Sequence, residues 1–143
     1  MSEPDAAAAV GELTDAFSVL DQWEDRYRYI MDLGEGLAPM DAHLRTDETL
    51  VRGCQSTVWV ALTTDGDQVR LHADSDSALV KGLAAIVVRV LDGRTVADLL
   101  GFDLEGLFDT LQLHAHLSPT RSNGLHGMVR QVMARAGALA KLT

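Results

Sequence analysis

The chain has 143 residues, enough for one domain with a substantial core, and its 47% hydrophobic and 23% charged residues are an ordinary globular balance. A formal charge of −9 lacks the basic footprint that phosphate neutralisation needs, which excludes a typical nucleic-acid binder and docking on anionic membranes. One cysteine cannot close an internal disulfide, so nothing indicates an oxidising compartment.

The opening MSEPDAAAAV has neither a positive start nor a true apolar stretch, so it does not read as a signal peptide. The longest strongly apolar run, Leu83 to Val88, ends at Arg89, far too short to cross a bilayer. A cytoplasmic location is expected. Residues 1–12 are expected to be loosely held, ahead of a single domain over 13–143. Thr14 reads as the cap of a short helix carrying Leu13, Phe17 and Leu20. Asp21 resembles a second cap, for a helix from about Gln22 toward Leu37. Its positions Trp23, Tyr27, Ile30 and Gly34 follow three- and four-residue steps and share one face, and Gly34, Gly36 and Pro39 end it.

The β part follows. Thr57 to Thr63 alternates, with Val58, Val60 and Leu62 on one side, and Gln68 to Ala73 alternates again with Val69, Leu71 and Ala73. Asp65-Gly66 between them is a hairpin signal. Thr49 to Arg52 is expected to supply a shorter third strand. A three-stranded antiparallel sheet with one buried face must pack on helices.

Those helices come next. Asp74-Ser75-Asp76-Ser77 offers caps for a segment ending near Leu91, with Leu79, Leu83, Ile86, Val87 and Val90 on one stripe and Gly93 as the stop. Thr95–Leu100 and Leu104–Leu111 look like short helices. Ser118-Pro119 opens the last one, whose apolar face is Leu125, Met128, Val129, Val132, Met133, Ala136 and Leu139. Helices, strands, then helices describe an α+β fold.

Cys54 is the candidate for chemistry. A lone cysteine commonly serves as a small buried hydrophobe. Here Arg52, Gly53, Gln55 and Ser56 are poor core neighbours, Gly53 suggests a tight turn, and Arg52 would favour the thiolate. Both readings stand on these residues alone. The five histidines, His43, His72, His114, His116 and His126, include no His-x-x-x-His pair, and there is no Cys-x-x-Cys, so no metal site is expected. One thiol can carry a sulfur atom but cannot hold an iron–sulfur cluster. A Cys/His hydrolase would need His114 or His116 within reach, oriented by a carboxylate such as Asp74. Gly34-Glu35-Gly36 lacks the third glycine and the strand-to-helix setting of a phosphate loop. The acidic residues Asp5, Asp15, Asp21, Glu24 and Asp25 describe either a solvated face or a surface for a basic partner.

The stretches WEDRYRYIMDLGEGL, VRGCQSTVWV, ADSDSALVKGLAAIVVRVLDGRT and HLSPTRSNGL together resemble the SufE family, sulfur acceptors that partner cysteine desulfurases in iron–sulfur cluster assembly. The likeness runs from about Trp23 to Ala136, and GCQSxVW followed by SPTRSNG is its most specific part. It implies a fold like that of the IscU-type scaffold proteins, with the reactive cysteine at a loop tip. By the same likeness Cys54 is the sulfur acceptor, and Gly53, Gln55 and Ser56 shape its loop. Arg121, Asn123 and Gly124 match the second motif, with Arg121 either structural or stabilising transferred sulfur. Asp74 and Asp76 match the helix entry and are expected to act first as caps.

The resemblance further implies a SufS-like cysteine desulfurase as donor and an iron–sulfur scaffold complex as recipient. The pyridoxal phosphate belongs to the desulfurase; no cofactor of the chain's own is expected. Taking sulfur away would raise the donor's turnover. Because an exposed persulfide is easily oxidised or reduced, Cys54 is expected to rest against apolar surface and to swing out on docking. A partner that regulates the desulfurase without carrying sulfur is the alternative.

Overall fold

The computed structural model describes residues 6–52 and 56–142. In chain order these form α1 (Ala6–Val19), α2 (Trp23–Glu35), a 3-10 turn (Ala42–Leu44), strands β1 (Val58–Asp65) and β2 (Gln68–Ser75), then α3 (Ala78–Leu91), α4 (Val96–Gly101), α5 (Leu104–Thr110), α6 (Leu113–His116) and α7 (Pro119–Ala140). The architecture is α+β.

α1 starts earlier than the sequence suggested. Alanine is the strongest helix former, and the Ala6–Ala9 tract carries the helix back past Thr14, which lies mid-helix with its hydroxyl donating to the Gly11 carbonyl at 3.1 Å. Residues 6–12 are therefore helical rather than loosely held, and Ala9, Leu13 and Phe17, at i, i+4 and i+8, form the buried stripe. Residues 1–5 lie outside the described residues. Arg26 closes the other end. Its guanidinium donates to the Leu20 and Phe17 carbonyls at 2.6 and 2.9 Å and lies over the Phe17 and Trp23 rings. It thus satisfies carbonyls that the helix end leaves open.

α2 has Gln22, not Asp21, at its cap position, and no side chain caps it. It buries Ile30 and Gly34 against α3. The helices touch backbone to backbone: a Cβ on Gly82 would stand 2.2 Å from the Ile30 carbonyl oxygen, and one on Gly34 would stand 2.8 Å from the Gly82 nitrogen. Only glycine permits that approach.

β1 and β2 pair antiparallel in the register Val58↔Ser75 to Asp65↔Gln68. Gly66 takes φ +62° at the first position of the two-residue loop, the left-handed conformation this turn requires. The inward set Val58, Val60, Val69, Leu71 and Ala73 is buried. The expected third strand is not formed among the described residues: the sheet has two strands, and residues 49–52 contribute an isolated bridge, Leu50↔Trp59. The segment bonds to β1 at Val51 N–H to the Val58 carbonyl and Val60 N–H to the Thr49 carbonyl. It then bends away at the Arg52 turn.

α3 is the innermost helix, buried on most sides and packed on α1, α2, both strands and α7. Ser77 caps it, accepting from the Val80 N–H at 3.3 Å. At its other end Asp92 accepts from the Leu71 N–H at 2.8 Å and pairs with Arg70 at 3.1 Å, pinning the helix to β2. Thr95, Asp103 and Ser118 cap α4, α5 and α7 in the same way. One hydrophobic cluster runs from Ala9 to Ala136 and includes Phe108 and Met128.

Candidate functional site

Gly53, Cys54 and Gln55 lie outside the described residues, so the site is built from the two stems that lead into residues 53–55. The incoming stem lies along α7. Arg135 donates to the Glu48 carbonyl at 2.6 Å, Gln131 donates to the Thr49 carbonyl at 2.6 Å, and a Cβ on Gly127 would meet the Arg52 carbonyl oxygen at 2.9 Å and Val51 Cγ1 at 3.0 Å. Positions 127, 131 and 135 form one i, i+4 row, so residues 48–52 run antiparallel to the helix along a single face. That row continues one turn earlier to Asn123, with Gly124 beside it.

The outgoing stem is tied to the entry of α3. The Thr57 N–H donates to Asp76 Oδ1 at 3.1 Å, and the Thr57 carbonyl accepts from the Asp76 N–H at 3.1 Å and the Ser75 hydroxyl at 2.7 Å. Ser56 is half-buried. Next to this stem, Asp74 faces Arg45 at 3.7 Å and Lys81 at 3.6 Å and accepts from the Ser75 N–H at 2.8 Å. Arg45 also covers the Trp59 ring. The expectation that Asp74 and Asp76 act first as caps is corrected: Ser77 caps α3, Asp76 fastens the stem and Asp74 pairs with cations. One segment thus ends a strand, holds the loop and starts a helix.

The family model for SufE, described as an Fe–S metabolism associated domain, matches residues 11–136. The chain belongs to the SufE family. A hypothetical protein from Thermus thermophilus, whose structure was determined in solution, superposes with a TM-score of 0.78 at 19% identity, over 93% of this chain and 96% of that one. At that identity the likeness is one of fold. Among the described residues no helix is long and apolar enough to cross a membrane.

Within this SufE-family fold, the SPTRSNG motif forms the first turns of α7. Ser118 accepts from the Arg121 N–H at 3.3 Å, Arg121 and Asn123 are exposed, and Gly124 is buried. The motif therefore stands on the helix that carries the incoming stem.

Asp74, the carboxylate named for the hydrolase reading, faces Arg45 and Lys81. His116 stacks on Trp23 with ring centres 4.0 Å apart, and its carbonyl accepts from the Tyr27 hydroxyl. His114 takes a different acid, with Nε2 3.2 Å from Glu105 Oε1 and Nδ1 against the Ser122 hydroxyl. His126 meets the other oxygen of Glu105 at 2.6 Å.

This cluster of Glu105, His114, His126 and Ser122 escaped the sequence reading because its hydrogen-bonded pairs join residues 8 to 21 apart on different helices. Gly127 and Gln131 escaped it too. Gly124 and Gly127, three apart on an otherwise regular helical pattern, were the available signal for a close approach.

Proposed function

We propose that this SufE-family chain is a sulfur carrier, which takes persulfide sulfur from a SufS-like cysteine desulfurase onto Cys54 and delivers it to an iron–sulfur scaffold complex. The reading is supported by the family match across residues 11–136 in a chain with one cysteine. The firm stems on either side of residues 53–55 support it as well, one laid on α7 and the other fastened by Asp76.

The chemistry is thiol exchange. The Cys54 thiolate attacks the outer sulfur of the desulfurase persulfide, a new S–S bond forms, and the old one breaks with its electron pair leaving on the desulfurase cysteine. No external oxidant or reductant is consumed. Arg52, exposed at the turn, would favour the thiolate, and Arg121 either supports the loop or stabilises the transferred sulfur. Gly53, Gln55 and Ser56 shape the loop, and Asn123 and Gly124 are its assigned neighbours on α7. Clearing the donor's cysteine raises desulfurase turnover.

The deciding experiment incubates the chain with a cysteine desulfurase and L-cysteine and takes peptide masses without reductant. The expected result is one added sulfur on the Cys54 peptide, removed by reductant and absent in Cys54→Ser. Raised desulfurase turnover with no sulfur on Cys54, retained in Cys54→Ser, would replace the carrier with a regulatory partner.

A further inference from the structure

Three helices bring their polar tips to one point on the side of the molecule formed by α5, α6 and α7. Glu105 comes from the first turn of α5, His114 from α6 and His126 from α7. The carboxylate reaches both rings, with Oε2 2.6 Å from His126 Nδ1 and Oε1 3.2 Å from His114 Nε2. The imidazoles stack 4.1 Å apart. One possible donor atom from each of the three residues lies within 4.8 Å of the others, and all three are half-buried. Phe108 closes one side of His114 edge-on.

We propose that Glu105, His114 and His126 bind a divalent transition-metal ion of the zinc type. Two imidazole nitrogens and one carboxylate are the donor set of open zinc sites, in which water completes the tetrahedron, and nitrogen with oxygen donors suits zinc and its neighbours better than calcium or magnesium. The spacing is close to what an ion needs. A tetrahedron with bonds of about 2.0–2.1 Å has edges of about 3.3 Å, and one donor atom from each residue lies within 4.8 Å of the others, although the 2.6 and 3.2 Å contacts are made to different oxygens of Glu105. Closing the site takes a rotation of the two rings out of their stack.

The surroundings support the same assignment. The second ring nitrogen of His114 meets the Ser122 hydroxyl, the outer contact that fixes a metal-binding imidazole's tautomer and direction. In the tautomer with Nδ1–H donated to Ser122, His114 Nε2 offers its lone pair on the side of Glu105, where an ion would take it. One divalent ion would satisfy all three groups at once. The ion would clasp α5 and α6, helices of seven and four residues, to the first turns of α7. The proposed donor set does not include Cys54, so this site and the sulfur-carrier reading stand or fall separately.

The test titrates metal-free, full-length Cys54→Ser protein, in which no thiolate can compete, with Co(II) and then Zn(II). One equivalent of Co(II) should give visible ligand-field bands that Zn(II) abolishes. Ser122→Ala should weaken binding about 10–100-fold, and Glu105→Gln and His126→Gln by more. Imidazole nitrogen–proton spectra guard against misfolded variants: Zn(II) added to the Cys54→Ser protein should move the His114 and His126 signals and leave those of His43 and His72 in place. The absence of one-equivalent binding, undiminished binding by Glu105→Gln, or shifts centred on other histidines would overturn the proposal.

Discussion

Burial pushes the Tyr29 phenol above its ordinary value of 10.0; the neighbouring Arg89 guanidinium pulls it down and the Glu12 carboxylate adds to the rise. Those two charges pair with each other at 3.0 Å beside the ring. The folded chain therefore holds the phenolic proton more tightly than the unfolded chain does. The sign follows by linkage. This contribution is fully present below the unfolded value of about 10 and is lost as pH rises through the higher folded value. Tyr29→Phe removes the ionisation while keeping the ring against Phe17. Urea midpoints at about pH 9 and about pH 10.5 should fall further apart in the parent than in Tyr29→Phe, and equal losses would assign the alkaline weakening to other groups. At this scale the sequence was legible in kind but not in assignment. Asp74, Ser75, Asp76 and Ser77 all carry a capping oxygen, and which of them caps depends on where β2 stops and what Thr57 needs, neither of which is a local property.

Glycines decide how the helices meet. Gly82→Ala would drive a methyl group into the Ile30 backbone, which no side-chain rotation relieves, so α2 and α3 must separate. The expected cost is about 1–3 kcal/mol or more, measured by urea unfolding. On α7, a methyl group added at Gly137 would meet nothing within 4 Å, and Gly137→Ala should instead stabilise by about 0.5–1 kcal/mol through helix propensity. Opposite signs for one chemical change are the signature of the close approach; two gains would mean that the helices have room to adjust. Gly127→Ala adds a functional readout. Its methyl group would press on the Arg52 carbonyl and Val51, the stem leading into residues 53–55. Sulfur loading of Cys54 should slow by about tenfold or more if the loop is displaced by a fraction of an ångström, and unchanged loading would show that the loop is indifferent to its stem. The missing third strand belongs to this scale. Thr49–Arg52 does bond to β1, but Gln131 takes the Val60 carbonyl at 3.0 Å and shares the Thr49 carbonyl at 2.6 Å. Strand periodicity carries no trace of a side chain arriving from 71 or 82 residues away.

For the whole molecule, the order of elements was readable because each has its own period and stop signals: the hairpin and the α7 stripe formed where their spacing placed them, and of the expected α2 face Ile30 and Gly34 are buried and Trp23 packs on the core, while Tyr27 does not. Which faces meet was not readable, since the ten elements among the described residues can be paired in many ways that bury the same residues. The observed solution joins the apolar faces in one cluster from α1 to α7, with α3 at its centre. A cluster that takes members from every layer should unfold as one cooperative unit. The chain contains its own reporters. Trp23 lies in the aromatic group with Phe17, Tyr27 and His116, while Trp59 stands on β1 under Arg45. Trp23→Phe leaves fluorescence from the sheet alone, and Trp59→Phe leaves it from the α1–α2 side alone. In each variant the urea midpoint by fluorescence should coincide with that variant's midpoint by far-ultraviolet circular dichroism, which weighs all the helices. If the Trp23 signal were lost first, α1 and α2 would form a separate unit, and the backbone contact at Gly34 and Gly82 would join two parts that melt apart. Coincidence in both variants would make that contact a seam within one core, so that a methyl group added at Gly82 weakens the sheet and the helices together.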